Sequence, residues 1–177
     1  MIISVAELNT LVDCGEMTFP KMNAWLVSIE QVIRKYTNNN FQNRNVRFVA
    51  SSVGNQLNGS FSYLKVGDTI QISQSQVNDG LYVVQEITED HLSVNRELFE
   101  VKFNKITKIE YPEDVIQCAV DLFEWKKEFG SKVGVKSESE TLSRHSASVT
   151  YEDSSSLYMG YPIGILKGLN HHRKARC

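Results

Sequence analysis

The stretch that decides the fold runs Thr69-Ile70-Gln71-Ile72-Ser73, then Asn78-Asp79-Gly80, then Leu81-Tyr82-Val83-Val84. Two runs rich in β-branched and aromatic residues flank an Asx-Gly pair, which reads as strand, turn, strand. The same texture extends outward in both directions. Val46 to Val53, Gly59 to Leu64, Thr69 to Ser73, Gly80 to Ile87 and Leu98 to Ile109 are the predicted strands, punctuated by Gly54, Asn58-Gly59, Gly67-Asp68 and Asp79-Gly80. So many short strands packed between residues 45 and 109 predict a small barrel or strongly curved sheet.

On both sides of this module the apolar period changes from strand to helix. Upstream, Met22, Trp25, Leu26, Ile29, Val32, Ile33 and Tyr36 follow the three-four spacing that places side chains on one helical face. The run Thr37-Asn38-Asn39-Asn40 stops that helix, because Asn competes for backbone hydrogen bonds and tolerates left-handed geometry. Earlier still, Ser4 and Glu7 form a capping box for a short helix through Val5, Leu8, Leu11 and Val12, with Gly15 as its stop. Downstream, Pro112-Glu113-Asp114 opens a second long helix, since Pro fits a first turn and carboxylates there complement the helix dipole. Val115, Ile116, Ala119, Leu122, Phe123 and Phe129 give it a broad apolar face, and Gly130 closes it. These two long helices are expected to pack together, with the strands as an excursion between them.

The last part is different. Residues 131–156 are rich in Ser and Thr, with an alternation at Val149 and Tyr151 that suits an extended arm or hairpin. Gly160-Tyr161-Pro162 is a turn, and Ile163, Ile165, Leu166 and Leu169 form a short helix weakened by Gly164 and Gly168. The expected fold class is α+β: a small α-helical bundle with an inserted β-rich, barrel-like module and an extended C-terminal arm. Its parts are residues 1–44 for the N-terminal helices, 45–109 for the insert, 110–130 for the long helix, and 131–177 for a docking arm with a basic tail.

The charge pattern narrows the function. The chain has 177 residues and a net charge of -2, which gives no global nucleic-acid signature. Lys167, Arg173, Lys174 and Arg176 put four cations and no acid into residues 167–177. The remainder holds 15 cations against 21 acids, a net -6. A basic tail therefore follows an acidic body, suited to DNA phosphate, to acidic residues of a neighbouring subunit, or to solvent. No apolar run approaches the roughly 20 residues that span a bilayer, and Met1 to Thr10 lacks the features of a signal peptide, so neither membrane insertion nor secretion is predicted. Cys14, Cys118 and Cys177 are far apart, which argues against a disulfide framework or zinc site.

Catalytic chemistry finds little support. There is no nucleophile elbow, phosphate loop or dinucleotide fingerprint. Glu110, Glu113 and Asp114 are explained by helix capping and the dipole. His91 and His145 fall in polar contexts, and the adjacent His171 and His172 are expected to point apart with no third ligand at a zinc-like spacing. No enzyme activity, cofactor or metal is expected. Trp25 reads as core, Trp125 as core or interface, and Tyr151, Tyr158 and Tyr161 as aromatics on an arm that need a partner to pack against.

Taken in order, several motifs resemble the head-to-tail connector, or adaptor and head-completion, proteins of long-tailed bacteriophages. They are Tyr36-Thr37-Asn38-Asn39-Asn40-Phe41-Gln42-Asn43-Arg44, Tyr111-Pro112-Glu113-Asp114-Val115, Gly134-Val135-Lys136-Ser137-Glu138-Ser139, Val149-Thr150-Tyr151-Glu152, and Gly160-Tyr161-Pro162 through Leu166 to Arg173-Lys174. The resemblance implies a structural virion protein of the neck, assembled in the host cytoplasm. It implies a homo-oligomeric ring, expected to be a dodecamer, beneath the portal protein and above the next neck or tail-completion protein. Such a ring lines the path of double-stranded DNA in genome packaging and ejection, without reading its sequence and without a membrane. The strand-rich insert departs from the simplest members, which are nearly all helical. The expected contacts with the portal or a neighbouring subunit are Val149, Tyr151, Tyr158, Tyr161, Ile165, Leu166, Leu169, Arg173, Lys174 and Arg176. On this reading residues 157–177 are removable without unfolding the helices. The alternative is a small DNA-binding accessory protein that uses the basic C-terminal tail.

Overall fold

The computed structural model describes residues 1–130 and 157–175, and between them the backbone of 137–142 and 145–150. The chain divides into two compact units: Met1 with Asn39–Tyr111, and Ile2–Asn38 with the chain from Pro112 onward. Helices and a closed antiparallel barrel together make the α+β class, with a small barrel as the inserted module.

The barrel comprises β1 (Gln42–Val53), β2 (Gln56–Asn58), β3 (Thr69–Ser73), β4 (Gly80–Ile87), β5 (His91–Val94) and β6 (Val101–Ile109). They close in the order β1-β2-β5-β4-β3-β6, with β6 pairing back onto β1. Closure leaves no free edge in so small a sheet. Alternation along β1 and β6 turns Ala50 and Ile106 inward, where they join Leu57, Ile70, Ile72, Val84, Leu92 and Val94. The turn from β1 to β2 is carried by Gly54, whose φ of 60° suits a residue without a Cβ.

Two strand expectations are corrected. Residues 59–64 form no strand: Gly59 at φ 148° and Tyr63 at φ 70° break the extended run, while Phe61 and Leu64 drop into the barrel core. Phe61 meets Phe48 edge-on, with ring centroids 5.4 Å apart. Leu98 likewise lies outside β6 as a buried plug, its N–H bonded to the Gly54 carbonyl at 2.7 Å. The missed strands are β2 and β5, both too short for a periodic signal yet deeply buried, through Leu57 in β2 and through Leu92 and Val94 in β5.

The barrel interior also holds a polar cluster. Asn78, Asn104 and Ser52 are all buried. The Asn78 amide donates to Phe99 O at 2.9 Å and Asn104 Oδ1 at 3.1 Å, and Asn78 Oδ1 accepts from Phe99 N–H at 2.8 Å. Asn104 donates to Ala50 O and to Ser52 Oγ, each at 3.1 Å. These bonds fill the register shift of the β1–β6 ladder between Ala50 and Ser52.

The helical unit begins with α1 (Val5–Leu11). Its capping box is present in full: Ser4 Oγ accepts from Glu7 N–H at 3.1 Å, and Glu7 Oε2 accepts from Ser4 N–H at 2.9 Å. Next, α2 (Phe19–Thr37) carries Pro20 in its first turn and ends at Asn38, which has the left-handed φ of 49° expected of the Asn run. After the barrel, α3 (Glu113–Phe129) follows the extended Pro112. The two long helices pack together as predicted, with Trp25 and Phe123 ring centroids 5.5 Å apart and Ile29, Ile33, Leu122 and Phe123 buried. Gly130 ends α3 in right-handed geometry, with its N–H bonded to Lys126 O at 2.9 Å.

Replacing Leu122 or Ile29 with Ala leaves a cavity beneath fully buried side chains, so each variant is expected to lose about 2–5 kcal/mol of stability by denaturant unfolding. The capping box gives a pH signature. Hydrogen bonds from the Ser4 backbone and hydroxyl hold the Glu7 carboxyl below its usual range. Its contribution is therefore complete above the ordinary carboxylate pKa and is lost as pH falls through the lowered one. Glu7→Gln should flatten that part of the acid limb in a pH series of unfolding curves; an unchanged acid limb counts against the capping role.

Candidate functional site

The C-terminal part of the chain concentrates the unusual chemistry of the helical unit. It contains β7 (Ser137–Leu142), β8 (His145–Thr150), β9 (Leu157–Tyr158), β10 (Tyr161–Pro162), α4 (Ile163–Lys167) and a 3₁₀ turn at Asn170–His172. β7 and β8 form a two-stranded hairpin in register from Ser137↔Thr150 to Leu142↔His145, the hairpin option of the sequence reading. β9 and β10 form a second, minimal hairpin. Met159 at φ 52° and Gly160 at φ 83° make its two-residue turn, the positive-φ geometry that matches strand twist.

This region places the expected contact residues unequally. Val149 lies on β8, and Tyr151 and Arg176 fall outside the described residues. Tyr158 and Ile165 are half-buried, whereas Arg173 and Lys174 are exposed. Tyr161, Leu166 and Leu169 are 4%, 0% and 2% exposed. Those three are core residues of the chain's own helical unit, and the expectation that they are offered to a partner is corrected. The reason is a dock that local sequence does not encode: α4 packs on α3, and β10 lies against α3 as well.

Lys126 fastens that dock. Its ammonium donates to the Tyr161 hydroxyl at 2.9 Å and stands 5.0 Å from the Trp25 ring centroid and 5.3 Å from that of Tyr161. Trp125 lies 6.0 Å from Tyr161 and 6.1 Å from Phe129. Both tryptophans are thus half-buried in one aromatic and cationic cluster, and the core reading of Trp25 needs this addition.

The tail then crosses the C-terminal end of α2. Lys174 N–H donates to Thr37 O at 2.8 Å, and the Asn38 amide donates to Lys174 O and Ala175 O at 3.2 and 3.1 Å. Helix carbonyls that lack an intrahelical donor thereby gain one. Tyr36 donates its hydroxyl proton to Asn170 Oδ1 at 2.7 Å, and the Arg173 guanidinium lies 5.3 Å from the Tyr36 ring centroid. Tyr36, Asn38, Asn170 and residues 173–175 line an open polar groove of about 440 Å³. Cations at this helix end also complement its dipole.

The histidine pair reverses an expectation. His171 and His172 do not diverge: the tight 3₁₀ turn brings both rings toward α3, with centroids 4.0 Å apart. His171 Nε2 lies 2.9 Å and His172 Nε2 lies 2.7 Å from the same oxygen, Asp114 Oδ2. Burial nudges the Asp114 carboxyl upward, but the hydrogen bond and charge of His172, joined by His171, hold it below its ordinary value. Asp114 was legible as a helix-start acid, whereas its partners lie far along the chain.

The two thiols among the described residues carry no comparable chemistry. Cys14 and Cys118 are free and buried, and burial, followed by the charges of Asp121 and Asp114, pushes the Cys118 thiol up to about 12. A neutral buried thiol is a poor nucleophile. On the outside of the barrel, by contrast, sequence reasoning missed a group of exposed apolar side chains: Val49 and Val53 on β1, Phe103 on β6, and Phe99 just before it. Alternation along β1 is the signal that separates Val49 and Val53 from inward Ala50 and Ser52.

No helix among the described residues is long and apolar enough to cross a membrane. No protein-family model and no curated protein matches the chain. The dock of the C-terminal segment has a direct consequence. Leu166→Ala should cost about 2–5 kcal/mol, whereas exposed Lys167→Ala should stay within about 0.5 kcal/mol of the parent. Equal stability of the two variants in denaturant would remove the segment from the core, and cutting the chain before Leu157 is accordingly expected to destabilise the helices.

Proposed function

We propose that this protein is a noncatalytic structural subunit, a head-to-tail connector that forms a ring beneath the portal of a long-tailed bacteriophage. The observation that carries the interaction role is the exposed apolar group Val49, Val53, Phe99 and Phe103 on the outer side of the barrel, with Phe99 69% exposed. Large exposed apolar side chains, where they gather on one surface, mark a site of protein interaction. In a ring, the occupant is a neighbouring copy, which meets this face with a different face of its own. The order of the motifs from Tyr36 to Lys174 supports the connector identity.

The β7–β8 hairpin supports the same reading. Among the described residues its two strands pair only with each other. An isolated two-stranded hairpin is marginal in water, and its outer edges are able to add to a sheet of the portal or of the next subunit. The ring would line the DNA path between capsid and tail, with exposed Arg173 and Lys174 making contacts to phosphate or to acidic neighbours that carry no sequence information.

The test uses tailless heads completed in vitro with purified chain. Wild-type protein is expected to restore joining and to appear as a ring at the neck by electron microscopy. Phe103→Glu, on an already exposed side chain, should keep the fold by circular dichroism yet weaken ring formation; deleting residues 137–150 should keep the fold and abolish joining. Full joining by both variants, or isolated subunits bound along DNA with a steep salt dependence, would reject the connector in favour of a DNA-binding accessory role.

A further inference from the structure

We infer that Asp114, His171 and His172 form a binding site for a divalent transition-metal ion of the zinc class, clamping the C-terminal turn onto the start of α3. Three potential ligand atoms, one from each residue, lie within 4.8 Å of one another. Two imidazole nitrogens and one carboxylate oxygen are the donor set that borderline ions such as Zn²⁺ prefer, while Mg²⁺ favours oxygen alone.

The distances suit capture after a small adjustment. At zinc–nitrogen and zinc–oxygen bonds of about 2.0–2.2 Å, tetrahedral ligand atoms stand roughly 3.4 Å apart. Both nitrogens now sit at 2.9 and 2.7 Å from Asp114 Oδ2, so the carboxylate has to retreat by roughly half an ångström to admit the ion. Asp114 and His171 are exposed and able to make that shift. A fourth position stays open to water, as in zinc sites with three protein ligands.

Both halves of the site are held by core residues beside the ligands. Asp114 is followed directly by fully buried Val115 in the first turn of α3. His171 and His172 follow buried Leu169, whose carbonyl accepts from the His172 N–H at 3.0 Å, and Asn170 is tied to Tyr36. Ligands fixed by their neighbours lose little freedom when an ion arrives. The two rings also present the same atom, Nε2, to one point, which a chance surface pair of adjacent histidines has no reason to do.

Calorimetry on the full chain, stripped with chelator and carrying Cys177→Ser to remove a competing thiol, tests the site. Zn²⁺ is expected to bind with one equivalent per chain and to raise the thermal midpoint, with Mg²⁺ doing neither. Co²⁺ should give the visible bands of a low-coordinate nitrogen and oxygen site. Asp114→Asn, His171→Asn and His172→Asn should each weaken Zn²⁺ binding by at least about 10-fold, while His91→Asn leaves it unchanged. His171→Asn alters an exposed side chain and keeps the test valid if another variant is unstable. Absence of a one-equivalent zinc site, or equal affinity in His171→Asn and the parent, would overturn the assignment and leave the cluster as an ion pair only.

Discussion

The constraint on which the architecture rests is the pairing of the first and last strands of the barrel. Gln42 faces Ile109, the Glu110 N–H donates to Phe41 O at 2.9 Å, and the Phe41 and Tyr111 rings meet at 5.1 Å. The chain thus enters and leaves the barrel at neighbouring points. A long excursion with adjoining ends is compatible with packing between the helices that precede and follow it, because loop closure is already achieved inside the barrel. Phe41 adopts φ 51°, and its N–H is held by Asn39 Oδ1 at 2.9 Å, so a short Asx turn sets the entry. The Asn run that stops α2 is therefore also the device that starts the barrel.

Closure has a polar component as well as an apolar one. Burying Asn78, Asn104 and Ser52 costs free energy unless every donor and acceptor is used, and here the partners include backbone groups of Ala50, Phe99 and Val101. A satisfied network of this kind fixes register more sharply than interchangeable aliphatic contacts, since a slip would strand several buried groups together. It pins the segment before β6 to β1, beside the place where Phe99 and Phe103 emerge on the outside. The exposed apolar face is consequently presented by a rigid part of the barrel, which suits recognition by a partner.

Legibility followed the range of the interaction. The capping box at Ser4 and Glu7, the three-four stripe of α2 and the Pro112 start of α3 are local, and each is present where the sequence predicts it. The barrel was legible as a class, but its membership was not. Residues 59–64 looked like a strand because Phe61, Tyr63 and Leu64 are good strand formers, yet positive φ at Gly59 and Tyr63 diverts them, and Phe61 and Leu64 serve as plugs instead. The histidine pair was misread because an extended backbone sends neighbours to opposite sides, whereas a 3₁₀ turn does not. Asp114 enters that site through tertiary packing alone, and spacing rules for metal ligands carry no trace of it.

The largest change in interpretation concerns the end of the chain. A Ser-rich stretch followed by a few apolar residues and four cations looks like one docking arm, but the structure assigns its pieces differently. Tyr161, Leu166 and Leu169 belong to the helical core, Lys126 holds Tyr161, and the backbone at Lys174 supplies a donor to the last turn of α2. The basic residues sit where a helix dipole already favours positive charge, which gives Arg173 and Lys174 a structural reason to exist before any partner is invoked. Within the proposed ring, selectivity for neighbours then falls to the β7–β8 hairpin and the barrel's outer face. The helical unit, for its part, buries Tyr161, Leu166 and Leu169 within its own core.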